Sequence, residues 1–122
     1  LKKYTKKEIN FSFTPHLTPM FRGILSTIYI DLENGVTQLK VINKLSSFYK
    51  KENFVKILKA DTFISTNDVI GTNNCLISVC KSRYKNKIVI LSVLDNLIKG
   101  GAGQAIQNLN MKFNFPLNTA LK

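Results

Sequence analysis

Apolar and polar residues alternate from Ile9 to Phe13, with Ile9, Phe11 and Phe13 separated by Asn10 and Ser12. That is the period of a half-buried strand, predicted to stop at Thr14-Pro15. From Thr14 to Gly23 the chain is punctuated by Pro15, Pro19 and Gly23, too often for a regular element. Alternation resumes over Ile24 to Leu32, with Ile24, Ser26, Ile28 and Ile30 on one face and Leu25, Thr27 and Tyr29 on the other. After the turn signal Asn34-Gly35, Val36, Leu39, Ile42, Leu45 and Tyr49 recur at helical steps opposite Lys40, Asn43, Lys44 and Lys50. This predicts an amphipathic helix capped by Thr37.

Phe54 to Leu58 is a short strand candidate, followed by a long polar connection over Asp61 to Asn74. Leu76 to Cys80 and Lys87 to Leu94 form a predicted hairpin around the basic turn Lys81 to Asn86. Past a glycine-rich turn, Ala102, Ala105, Ile106, Leu109 and Phe113 mark a second helix whose apolar stripe is expected to face the sheet. The tail from Pro116 is irregular. Strands and helices do not alternate regularly, so the fold class is α+β, with a mostly antiparallel or mixed sheet covered by helices on one face. Val89, Leu91 and Val93 are apolar opposite Ile88 and Ile90. The second sheet face is therefore expected to pack against a partner subunit or domain, which predicts a homo-oligomer.

Length changes this picture little: 122 residues with 44% apolar content suit one domain. The chain starts at Leu1 with no leader-like segment after it, and is expected to be a fragment of something larger. No apolar run approaches the roughly 18 residues a membrane-spanning helix needs. The net charge of +11 raises the possibility of a nucleic-acid partner. Its lysines are scattered, however, and arginine occurs only as Arg22 and Arg83, so no nucleic-acid partner is expected. Cys75 and Cys80 lie an odd number of residues apart on a strand, hence on opposite faces. We expect neither a disulfide nor a metal site from them, but two thiols in a reducing compartment.

Three segments carry candidate chemistry. Thr14 to Gly23 holds the single histidine of the sequence, His16, with Arg22, on a loop stiffened by two prolines. It could present an imidazole and a guanidinium to a cleft. From composition alone the favoured reading is a rigid corner in which His16 caps a strand end and Arg22 pairs with a carboxylate. Asp95 to Ala105 leads from a strand through Gly100, Gly101 and Gly103 into a helix, where N-terminal amides can meet polar groups of a ligand. Its spacing fits neither the dinucleotide fingerprint nor the P-loop. Gly71 to Cys75 reads as a turn into a strand, and Cys75 has no base in the sequence pattern to activate it.

In this order and spacing the three segments resemble the signature runs of N-acetyl-gamma-glutamyl-phosphate reductases. These are F-T-P-H-L-x-P-M-x-R-G-I-L (Phe13 to Leu25), G-[ST]-N-x-C (Gly71 to Cys75) and D-N-L-x-K-G-x-A-G-Q-A-x-Q-N (Asp95 to Asn108). The last run is shared in looser form with aspartate-semialdehyde dehydrogenases. The resemblance covers nearly the whole chain and implies residues 1–122 are a single C-terminal catalytic and dimerisation domain. Its fold would be that of the C-terminal domain of glyceraldehyde-3-phosphate and semialdehyde dehydrogenases, and the NADP-binding Rossmann half would lie upstream.

The implied enzyme is a cytoplasmic NADPH-dependent oxidoreductase of arginine biosynthesis. An acyl phosphate joins an enzyme thiol, phosphate leaves, and hydride transfer yields a semialdehyde. The nucleophilic cysteine and the general acid/base histidine of the family would both lie upstream, so the fragment alone is expected to be inactive. By the same resemblance Asn96, Gly100, Gly101 and Gln104 would line the nicotinamide end of the cofactor site. His16 and Arg22 would border the substrate pocket. Gly101 departs from the alanine usual there. Two other readings remain, a free-standing oligomerisation module and a basic nucleic-acid-binding domain.

Overall fold

In a computed structural model, which describes residues 9–122, the chain forms one four-stranded mixed sheet and two α-helices. The elements are β1 (Ile24–Asp31), α1 (Gln38–Phe48), β2 (Val55–Ile57), β3 (Cys75–Lys81), β4 (Lys87–Leu94) and α2 (Gly103–Lys112). The sheet order is β1-β4-β3-β2, with β1·β4 and β3·β4 antiparallel and β2·β3 parallel. The α+β class and the mixed sheet expected from the pattern are both present, as is the hairpin joining β3 and β4.

Register assigns the faces. Ile28 pairs with Ile90 and Ile90 with Val79, so these share one face with Ile77, Val55 and Ile57. Helix α1 lies over the β2–β3 side of this face, turning Val41, Ile42, Leu45 and Tyr49 inward as a half-buried stripe. Thr37 caps it as expected, its hydroxyl accepting from the Lys40 N–H. The opposite face carries Leu25, Tyr29, Val89, Leu91, Val93, Ser78 and Cys80. The connection after β2 crosses part of it, and the Ser78 hydroxyl donates to the Thr62 carbonyl at 2.6 Å. Tyr29, 75% exposed, and Leu25 remain open on this face. Cys75 lies beside Ser92 and Cys80 beside Ser78, on opposite faces as expected, and both are free thiols.

Two expectations need correction. Residues 9–13 form no strand, and Ile9, Phe11 and Phe13 are exposed. Alternation makes a segment half apolar; a strand also needs a neighbouring edge to bond, and no described strand pairs with this one. Helix α2 turns its polar side inward: Gly103, Gln107 (7% exposed) and Asn110 (2%) are buried. Ile106, Leu109 (51%) and Phe113 (58%), the stripe expected to face the sheet, point outward. Hydrogen bonds account for the inversion. Gln107 receives Asn73 and Lys99, and the Asn110 amide donates to the Leu117 and Thr119 carbonyls, fixing the tail.

Candidate functional site

The start of β1, the start of β3 and the end of β4 lie at the same end of the sheet, as their register requires. Asp95, the first residue after β4, is fully buried there. One carboxylate oxygen accepts from Arg22 Nη2 at 2.6 Å and from the Gly71 N–H at 2.8 Å. The other accepts from Arg22 Nε and from the N–H groups of Leu97 and Ile98 at 2.9–3.2 Å. Five N–H donors thus converge on one side chain. Burial pushes the carboxyl up, but the Arg22 guanidinium and the N–H groups of Gly71, Leu97 and Ile98 outweigh it, bringing the pKa from 3.8 to about 2.

Asn96 adds a second link, its Oδ1 accepting from the Gly23 N–H at 2.7 Å. Gly23 sits at φ +112, where a Cβ would lie 2.7 Å from Thr66, so only glycine suits this approach. Residues 22–23, 71 and 95–98 are in this way bonded into one cluster although far apart in sequence.

Past Asp95 the chain makes a widened helical turn, Ile98–Ala102, before α2. Gly100 and Gly101 are exposed on it, and Gly101 departs from helical geometry at φ −144, ψ −110. The Gly100 N–H returns to the Asp95 carbonyl at 3.0 Å. Gln104, in the first turn of α2, is half-buried and donates through Nε2 to Asn108 Oδ1. Lys99 is half-buried; burial lowers its pKa while the neighbouring Cys75 and Glu52 act the other way.

Of the residues singled out by sequence, Arg22, Asn96, Gly100 and Gly101 come together through Asp95 and its turn, with Gln104 following on α2. His16 stands apart from the cluster's hydrogen bonds: it is exposed and, among the described residues, its ring meets the Thr14 carbonyl, at 3.2 Å. The corner in which Arg22 pairs with a carboxylate is realised with Asp95 as that carboxylate. Sequence reasoning missed Asp95 as the hub, and Asn73, Lys99 and Gln107 as a polar set behind the turn. The signal for the last was the spacing of Gly103, Gln107 and Asn110, small and polar residues one helical turn apart. Among the described residues no group of three His, Cys, Asp or Glu is placed to hold a metal ion, and no helix is long and apolar enough to cross a membrane.

Comparison with known proteins gives the cluster a context. Over 113 residues the chain is 50% identical to the N-acetyl-gamma-glutamyl-phosphate reductase of Desulforamulus reducens, covering 93% of this chain and 33% of that protein. The reductase of Thermoanaerobacter pseudethanolicus is 43% identical over 99% of this chain and 35% of its own length. A probable chloroplastic reductase of Arabidopsis thaliana is 41% identical over 99% of this chain and 30% of its length. The chain therefore spans about a third of the curated relatives it matches. Among solved structures, aspartate semialdehyde dehydrogenase II of Vibrio cholerae shares the fold at 18% identity, with a TM-score of 0.55 over 77% of this chain and 28% of that one. The family described as semialdehyde dehydrogenase, dimerisation domain, matches residues 1–96, and the chain belongs to it.

Proposed function

We propose that this chain is the dimerisation and cleft-forming part of an NADP-dependent N-acetyl-gamma-glutamyl-phosphate reductase, joined in the working enzyme to a nucleotide-binding part that carries the nucleophilic cysteine. The observation that carries this reading is the meeting of all three signature runs in one hydrogen-bonded cluster around Asp95 and Asn96.

The turn suits a flat polar ring. Gly100 and Gly101 offer backbone without side chains; a Cβ at Gly101 would lie 3.3 Å from the Asn96 carbonyl, which would have to give by a few tenths of an ångström. Asn96 Oδ1 is committed to Gly23, which leaves its amide N–H groups to donate to a carboxamide oxygen. Gln104 donates to Asn108 and keeps its oxygen to accept from the carboxamide nitrogen. NADPH, when bound, supplies the hydride. The work of Asn96, Gly100, Gly101 and Gln104 is to hold the nicotinamide end in one orientation, since a small misplacement of reacting atoms is costly in rate.

Arg22 spends Nε and Nη2 on Asp95, so Nη1 is the donor it can turn toward the substrate's carboxylate or phosphate. His16, exposed on the same run, would border that pocket. Cys75 is no candidate nucleophile; its thiol is half-buried beside Ser92 in β3. The open sheet face around Leu25 and Tyr29 is the surface we assign to a second copy, and the outward apolar face of α2 the one we assign to the nucleotide-binding part. The cytoplasm is the compartment we assign to this enzyme.

The test joins this chain to the upstream two-thirds of the Desulforamulus reducens relative and follows phosphate-dependent NADP reduction with N-acetylglutamate semialdehyde. We expect turnover, and a raised KM for NADP in Gln104→Ala with kcat preserved. A folded, dimeric chimera without activity would remove the reductase reading and leave an oligomerisation module.

A further inference from the structure

The glycine turn has a conformational problem. Two adjacent glycines, Gly100 and Gly101, give it freedom, and the backbone bonds that close it include Gly100 N–H to Asp95 O, Ala102 N–H to Leu97 O and Gly103 N–H to Ile98 O. The side chain next to the glycine pair supplies what they cannot. Lys99 runs inward, its ammonium donating to Gln107 Oε1 at 2.8 Å and lying 5.5 Å from the centre of the Phe54 ring. Gln107 is nearly buried, and the same oxygen accepts from Asn73 Nδ2 at 3.2 Å. Asn73 is fully buried, and its backbone N–H bonds the Lys122 carbonyl. A lysine on an exposed glycine turn ordinarily extends into solvent. Here α2 has turned a polar face inward, and that face receives the ammonium.

We propose that Lys99 is the positioning residue of the glycine turn, its ammonium tying the turn to α2 through Gln107 and to the start of β3 through Asn73, and so setting the turn geometry that the nicotinamide end of the cofactor meets. The proposal rests on the cofactor reading given above. Lys99 need not touch the cofactor; it acts through the backbone of Gly100 and Gly101. The same arrangement explains why Gly103 is glycine, since a Cβ there would press on Asn73 Oδ1 and come within 2.8 Å of the Ile98 carbonyl. A side chain at 103 would separate α2 from the Asn73 that completes the tie.

The experiment compares Lys99→Met, which keeps an unbranched stem without the charge, and Lys99→Arg, which restores a donor cation. Amide hydrogen exchange is read on the chain itself, with the β4 amides as an internal reference. A hydrogen bond from a charged group is worth about tenfold or more in a local opening equilibrium. We therefore expect the Gly100 and Ala102 amides of Lys99→Met to exchange about tenfold faster while β4 is unchanged, with Lys99→Arg returning toward the parent. In the chimeric reductase, Lys99→Met should raise KM for NADP by a similar factor at preserved kcat. Unchanged exchange at Gly100 and Ala102, or equal acceleration of turn and sheet, would overturn the proposal. If Gln104→Ala raises KM and Lys99→Met does not, positioning fails while the cofactor reading stands. If Gln104→Ala leaves KM unchanged, the cofactor reading is what fails.

Discussion

Replacing Asp95 by asparagine is the sharpest probe of the cluster, because it keeps shape and removes charge. The asparagine oxygen can go on accepting from three of the five donors. Its amide nitrogen then stands where a carboxylate oxygen met Arg22 Nη2 and the Gly71 N–H, so donors confront a donor. Two charge-assisted bonds are lost, one from the guanidinium and one from a backbone N–H, and a guanidinium whose side chain is 19% exposed is left without its counter-charge. Breaking a buried pair on one side costs about 3–5 kcal/mol, a large part of the roughly 5–15 kcal/mol that holds a domain of this size. Urea unfolding near neutral pH, followed by circular dichroism, should report a loss in that range; a loss below about 1 kcal/mol would refute the account of Asp95 as hub. Acid supplies a second reading with a definite sign. The folded-state pKa is depressed from 3.8 to about 2, so the carboxylate's contribution is present in full above the unfolded value and is lost as pH falls through the folded one. That contribution is about 2 kcal/mol at 1.36 kcal/mol per unit, and the Asp95→Asn variant should lack it.

Three further outcomes follow from other parts of the fold. Gly103→Ala crowds Asn73 and Ile98, where the new Cβ would meet Ile98 Cγ2 at 2.7 Å, and should destabilise by about 1–3 kcal/mol; an unchanged thermal midpoint would contradict the packing described. Leu109→Asp, on the outer face of α2, should leave the chain's own unfolding free energy within about 0.5 kcal/mol while impairing assembly with the nucleotide-binding part, measured by gel filtration of the two pieces mixed. Tyr29→Asp on the open sheet face should shift sedimentation toward monomer with the far-ultraviolet spectrum unchanged; a variant still wholly dimeric would move the interface elsewhere.

Much of this architecture was legible in the chain. The Ile24 alternation, the Thr37 cap, the two strands flanking Lys81 to Asn86 and the opposite-facing thiols are local patterns, and local patterns survive folding. Residues 9–13 show where locality stops, since pairing requires an edge that alternation cannot announce. Helix α2 shows the same for burial. Ile106, Leu109 and Phe113 marked one apolar face correctly, but whether that face meets its own sheet or another surface depends on partners, and Gln107 and Asn110 were claimed by Asn73, Lys99 and the tail. For the site, Arg22, Asn96 and the glycines stood out as chemistry-bearing residues in specific runs. Asp95 did not, because a carboxylate after a strand looks like any turn residue until donors from Arg22 and Gly71 arrive from elsewhere in the chain.

The order of strands in the sheet also has a kinetic consequence. β3 and β4 are joined by a tight turn and can pair early, whereas β1 must return across the intervening helix and crossover to reach β4. A substitution such as Leu25→Ala should then speed unfolding in stopped-flow traces and leave the folding rate nearly untouched. Arg22 stands just before β1 and Asp95 just after β4, so the clasp between them closes only when the last strand zips into place. Until that moment β4 offers an unpaired edge lined by Val89, Leu91 and Val93, and the interval before closure is when the nascent chain is most exposed to pairing with the wrong neighbour.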